Sequence, residues 1–228
     1  RGGISTLVTV DPVTGRFTGI GSIGHAVTGM EYVNASGKLY GVTSAIDPSA
    51  PNHLIEIDLK TGKGKPIGSG LEVKDIVNLT SDSAGKLFAW TENGDDLVRI
   101  NPVSGAASVV GNSGLNTVNA GLAFDAADNL FLLNSDGGVY AINTVTGASS
   151  KMLFSIGQTA QNGDFDPTTG YYFGIGAGKG PDTVRLVDFG SESVHADLPT
   201  ADDLQTLTFV GGLPEFRRPW GEVEAEIV

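Results

Sequence analysis

The chain has 228 residues, a formal net charge of −12, 33 Gly, two Met, two Trp and no Cys. That acidity disfavours nucleic acid and anionic membrane surfaces as partners and suits cations or basic partners. The lack of Cys excludes a disulfide framework, a thiolate zinc site and a cysteine nucleophile. No stretch approaches eighteen apolar residues, so no membrane-spanning helix is expected.

The first predicted element is a strand at about Thr6 to Val10 that ends in Asp11-Pro12-Val13-Thr14-Gly15 and is followed by a second strand at about Phe17 to Ile20. The same strand and turn return at Leu54 to Gly62, Leu97 to Gly105 and Val139 to Gly147, with a degenerate copy from Val184 to Gly190. The Asp or Asn falls at 11, 58, 101, 143 and 188, giving spacings of 47, 43, 42 and 45 residues, a propeller-blade period. The Asx side chain bonds backbone N–H groups two residues on and Gly supplies the positive φ of a tight turn, so the motif needs no ligand to explain it.

Between these hairpins lies a second set, at Met30 to Val42, Val77 to Trp90, Gly121 to Leu133 and Asp164 to Ile175. Two hairpins per period make a four-stranded antiparallel blade that must stack on neighbours to bury both faces. Leu204 to Val210 reads as a first strand, while the chain begins on a third, so the two termini are expected to complete one blade and remove the open edges. The expected fold is all-β, a single five-bladed β-propeller over residues 1–212. Residues 213–228 are expected to be the closing strand of the shared blade or the start of a linker. A β-helix has a much shorter period, and an eight-stranded barrel gives no reason for one hairpin to recur five times.

The pairing of strand-Asp-Pro-x-Thr-Gly with Gly121-Leu122-Ala123-Phe124-Asp125 and Leu130-Phe131 resembles secreted bacterial propeller repeats of the quinoprotein-like, YncE-like and NHL-like kind. The likeness covers about residues 4 to 212. It implies an architecture and carries no catalytic residue onto this chain. The Gly-His and Trp-Asp signatures of WD40 blades and the Ser-x-Asp-x-Gly-x-Thr-Trp box of sialidase blades are absent. The start at Arg1 reads as that of a processed product, and with the composition it sets the expectation of a secreted, periplasmic or cell-surface protein.

The three histidines, His25, His53 and His195, fall at unrelated blade positions, which argues against a three-His metal site. Gly174 to Gly180 lacks the following helix that a phosphate cradle needs. Asp164-Phe165-Asp166 and Asp125 to Asn129 carry oxygens suited to calcium, but sit where hairpin turns already call for Asx. The sequons at Asn34 and Asn78 have little weight, the second lying in a predicted inner strand.

Sorting charges by blade end is more informative. The tight-turn rim carries Arg16, Lys38, Lys60, Lys63, Lys65 and Lys86. The long-loop rim carries Asp47, Glu72, Asp75, Glu92, Asp95, Asp96, Asp136, Asp182, Asp202 and Asp203 against Lys74 and Lys179. An acidic axial mouth follows, with Thr28, Asp75, Glu92, Asn119, Asn162, Asp203 and Gln205 as candidate ligand-binding residues.

The first reading is a non-catalytic, monomeric binding or scaffold module for a cation, a basic protein or a glycan, with calcium the one metal suggested. The second is a glycosidase or lactonase using Asp75, Glu92 and Asp203, since paired carboxylates supply acid and base roles. The third is a structural repeat domain of a larger surface protein.

Overall fold

The computed structural model describes residues 3–11, 14–176, 182–200 and 204–210. Strands β1 (Thr6–Val10) and β2 (Phe17–Ser22) form a two-stranded antiparallel sheet. Four sheets of four strands follow. The first holds β3 (Val27–Val33), β4 (Lys38–Thr43), β5 (Leu54–Ile57) and β6 (Gly64–Ile67), and the second β7 (Ile76–Ser81), β8 (Leu87–Thr91), β9 (Asp96–Ile100) and β10 (Ala107–Asn112). The third holds β11 (Gly121–Phe124), β12 (Leu130–Leu133), β13 (Gly138–Ile142) and β14 (Phe154–Ser155). The fourth holds β15 (Gln161–Phe165), β16 (Tyr172–Gly176), β17 (Thr183–Asp188) and β18 (Ser193–Pro199). Within each sheet the strands pair antiparallel in chain order, which makes the fold an all-β propeller of four-stranded blades.

The recurrent turn folds as its residues dictate. Asp58 Oδ1 accepts the N–H groups of Lys60 (3.0 Å) and Thr61 (2.8 Å), and Gly62 closes the turn at φ 77°. Asn101 and Asn143 accept the corresponding amides in the second and third blades. Asp166 accepts Thr168 N–H and the Thr169 hydroxyl between β15 and β16, in the first hairpin of its blade.

Second strands read as continuous apolar runs because both of their faces are covered. Every residue of β8 and of β16 is buried, whereas the outer strand β10 alternates between exposed and half-buried. Among the described residues the core is accordingly split into five apolar clusters at sheet-to-sheet contacts. Three join successive blades, for example Phe88, Trp90 and Leu97 of the second blade with Leu122, Phe124 and Leu132 of the third. A fourth packs Leu7 and Ile23 on Leu39, Ile55 and Ile57 of the first blade, and a fifth packs Val10, Phe17, Leu204, Leu207 and Phe209 on Phe173, Ile175 and Leu186 of the fourth. The two-stranded sheet is thus flanked by the first and fourth blades.

Blade contacts at the periphery are close enough to require glycine. A Cβ on Gly111 would lie 2.0 Å from the Thr146 carbonyl oxygen in the next blade's outer turn, and Gly21 meets Thr61 in the same way.

The number of complete blades differs from expectation. Four are complete among the described residues, where five were expected. Residues 204–210 carry no regular strand pairing, because their contacts with the flanking strands run largely through side chains. Met30 N–H donates to Thr206 Oγ1 (3.2 Å), Tyr32 N–H to Thr208 Oγ1 (2.9 Å) and Phe209 N–H to Asp164 Oδ2 (3.0 Å), while Leu207 N–H donates to the Asn162 carbonyl (2.9 Å). The tail assigned to 213–228 lies outside the described residues.

Candidate functional site

Antiparallel order within each blade puts the loops between second and third strands, and those between blades, at one end of the propeller. Asp75, Asn119 and Asn162 sit there at the starts of inner strands, all with left-handed backbone (φ 58°, 49° and 46°). Asp and Asn tolerate that conformation better than other residues with a Cβ. Thr28 is on β3, its Oγ1 2.9 Å from the Ile76 carbonyl of the next blade and 3.2 Å from that of Val42.

Several candidates are brought together in pairs. Glu92 N–H donates to the Asp75 carbonyl (3.2 Å), and the Glu92 carboxylate accepts the Asn119 N–H, so these three form one arc. Asn162 Nδ2 donates to the Gln205 carbonyl (2.8 Å). Asp75, Asn119 and Gln205 are exposed, while Thr28, Glu92 and Asn162 are half-buried. Asp203 lies outside the described residues, as do Asp202 and Lys179.

Much of the acidic rim is engaged by the protein's own amides. Asp47 is 4 % exposed, and its carboxylate accepts the N–H groups of Ala26 (2.7 Å), Ala50 (2.7 Å) and Ser49 (3.0 Å). Burial works to raise its carboxyl, but those three donors and His25 outweigh it and hold the group well below the usual carboxylate range. Asp95 Oδ1 accepts from Thr117 N–H (2.8 Å), and Thr117 Oγ1 in turn accepts the indole N–H of buried Trp90 (2.9 Å). Asp182 Oδ2 accepts Leu204 N–H (2.9 Å). Glu72 and Asp75 stay exposed with no such engagement among the described residues.

His25 is buried beside Asp47 and Ser49, which superficially suggests a nucleophilic triad. Asp47 Oδ1 and Ser49 Oγ both lie 3.2 Å from Nδ1, the same ring nitrogen. A triad needs the acid on one nitrogen and the serine on the other, so this cluster organises the loop. The acid-rich turns use their carboxylate oxygens on their own donors. Asp125 holds the amides of Ala127 and Asn129, and Asp166 holds Thr168 N–H and Thr169 Oγ1. Among the described residues no three His, Cys, Asp or Glu side chains gather as metal ligands.

The sequence reading named Asp164 only as a turn oxygen and missed the register position that it shares inside the inner strands. Glu31, Thr80, Ala123 and Asp164 occupy one register position, opposite Tyr40, Phe88, Phe131 and Phe173. Thr80 Oγ1 accepts the next strand's Phe124 N–H (3.4 Å), as Asp164 does from Phe209 and Thr208 from Tyr32. Glu31 is buried, accepts from Ser81 Oγ (2.6 Å), and has its Oε2 3.4 Å from Thr208 Oγ1. The same hydroxyl lies 3.2 Å from Asp164 Oδ2. Burial raises both carboxyls, that of Asp164 to about 6, and the charge of Asp164 raises Glu31 further. Alignment on Leu39-Tyr40, Leu87-Phe88, Leu130-Phe131 and Tyr172-Phe173 would have revealed the shared position.

Residues 5–170 match the family described as "Repeat of unknown function (DUF6923)". The chain belongs to this repeat family. No functionally curated protein matches the sequence significantly. Among solved structures, the DUF6923 chain is similar to a chain of a nidogen/laminin complex, with 13% identity, TM-score 0.57, and coverage of 87% of this chain and 90% of that one. It is also similar to TolB from Acinetobacter baumannii, with 15% identity, TM-score 0.56, and coverage of 86% and 49%. A structural-genomics protein provisionally named a gluconolactonase gives 15% identity, TM-score 0.56, and coverage of 84% and 70%. The chain spans about half the length of TolB and of the Kuenenia stuttgartiensis hydrazine synthase chain, 49% in each case. These likenesses establish the propeller fold.

Proposed function

We propose that this DUF6923 chain is a five-bladed propeller exposed outside the cytoplasm, acting as a non-catalytic binding module whose long-loop rim takes a basic segment of a partner protein. Closure by both termini is supported by the five apolar clusters and by residues 204–210, which bond β15 on one side and β3 on the other. In this reading 204–210 is the innermost strand of the fifth blade and β1 and β2 are its third and fourth.

The observation that carries the binding reading is the division of labour on the rim. Asp47, Glu92, Asp95 and Asp182 hold backbone amides, which leaves Glu72 and Asp75 exposed on a rim that also exposes Asn119 and Gln205. Exposed carboxylates on a strongly acidic molecule attract a basic partner over about a Debye length and lose that attraction in salt. The fold likeness to a provisional gluconolactonase adds no residue to a hydrolase reading.

The test is calorimetric titration with a lysine-rich peptide, with a neutral oligosaccharide and calcium chloride as comparators. The peptide should bind, more weakly at high salt, and the double variant Glu72→Gln, Asp75→Asn should weaken it further. Binding unaffected by that variant, or binding of the oligosaccharide or calcium alone, would overturn the reading.

A further inference from the structure

The Thr208 hydroxyl stands between the carboxyls of buried Glu31 and half-buried Asp164, and its single hydrogen cannot serve both. A hydroxyl donates once and accepts twice. Tyr32 N–H fills one acceptor position of Thr208 Oγ1. If both acids were ionised, one would face the oxygen of Thr208 with no hydrogen between them, a costly arrangement beside a carboxylate as buried as that of Glu31. Asp164 is the better anion, because it accepts the backbone N–H groups of Phe165 (2.8 Å) and Phe209 (3.0 Å). Glu31, the more buried of the two, has the weaker claim on the Thr208 hydrogen, at 3.4 Å against 3.2 Å.

We propose that Glu31 is protonated at neutral pH and donates to Thr208, which donates to ionised Asp164, forming a proton-dependent latch that seats residues 204–210 between β15 and β3. The inference goes beyond the binding function and is independent of what the rim takes. Every donor in the set then has an acceptor: Ser81 Oγ donates to Glu31 Oε1, Glu31 Oε2–H and Tyr32 N–H occupy the two acceptor positions of Thr208, and Asp164 receives three donors.

Among the described residues no basic group accompanies these carboxyls to stabilise a second anion. From β3 and β4 the neighbour is Tyr40, from β7 Ser81 and Thr80, and from β11 Ala123 at the equivalent position. From β15 and β16 come Asp164, Asp166 and Tyr172, and the segment 204–210 brings Thr208. Both carboxyls are raised relative to the unfolded chain. Stability linked to these groups is therefore complete below the ordinary carboxylate range and falls as pH rises, through about 6 for Asp164, with the raised carboxyl of Glu31 contributing a loss of the same sign. Losing the Glu31 proton breaks the latch.

The test is backbone hydrogen exchange of the full chain, corrected for intrinsic rates, comparing wild type with Glu31→Gln, an amide that is neutral at every pH and donates in place of the carboxyl. Exchange at Leu207 and Phe209 should accelerate in wild type by up to about tenfold per pH unit once Glu31 ionises, and should stay flat in Glu31→Gln over the same range. Thr208→Val should expose both amides at every pH. A wild-type profile that is flat to pH 9, or profiles that rise in parallel, would overturn the proposal. A Glu31→Gln chain that does not fold would show that the anion is needed and would overturn it equally.

Discussion

Asp47→Ala removes one carboxylate on which the amides of Ala26, Ala50 and Ser49 converge. Ser49 is exposed and its amide can turn to water, but Ala26 and Ala50 are each 3 % exposed. An unpaired buried donor costs about 1–3 kcal/mol, so two such donors put the expected loss at about 2–6 kcal/mol. In a chain of this size each kcal/mol lowers Tm by about 2–4 °C. Asp47→Asn keeps one acceptor oxygen and should fall between wild type and Asp47→Ala. The pH sign follows from the lowered carboxyl: its contribution is present above the ordinary Asp value of about 3.9 and is lost as pH falls below it. Urea unfolding followed by tryptophan fluorescence, at neutral pH and again below pH 4, measures both. A neutral-pH loss for Asp47→Ala within about 0.5 kcal/mol, the range of ordinary surface substitutions, would refute the claim that this loop hangs on the carboxylate.

Two further substitutions probe the frame. Gly111→Ala puts a methyl 2.0 Å from the Thr146 carbonyl oxygen, so the second and third blades must separate; a loss of about 1–3 kcal/mol is expected in the same unfolding assay. Asp197→Ala strips the Arg185 guanidinium of its two-pronged partner (2.7 and 2.9 Å) and leaves it only the Thr159 carbonyl. Arg185 is 8 % exposed, so thermal unfolding should report a loss of about 2–3 kcal/mol, and an unchanged Tm would show that water replaces the carboxylate.

The repeat was legible because its signals are local. Alternating strands, Asx before the turn and Gly at its end act within about ten residues, and Asp58, Asn101 and Asn143 form the turns their spacing implied. Which long-loop acids remain available was not legible. Asp47 and Asp75 look alike as letters, yet one is buried on three amides and the other exposed, because the partners of Asp47 come partly from Ala26 on an earlier loop.

By itself the sequence determined an all-β chain of four-stranded antiparallel blades, since two-residue periodicity and turn chemistry need no distant partner. The tertiary structure alone decided how the last described segment meets the first blade and which polar residues face one another inside the inner strands. Those contacts join Met30 to Thr206 and Tyr32 to Thr208 across 176 positions of chain. Only closing the chain on itself puts Glu31, Thr208 and Asp164 on one hydroxyl, and no local pattern records that encounter.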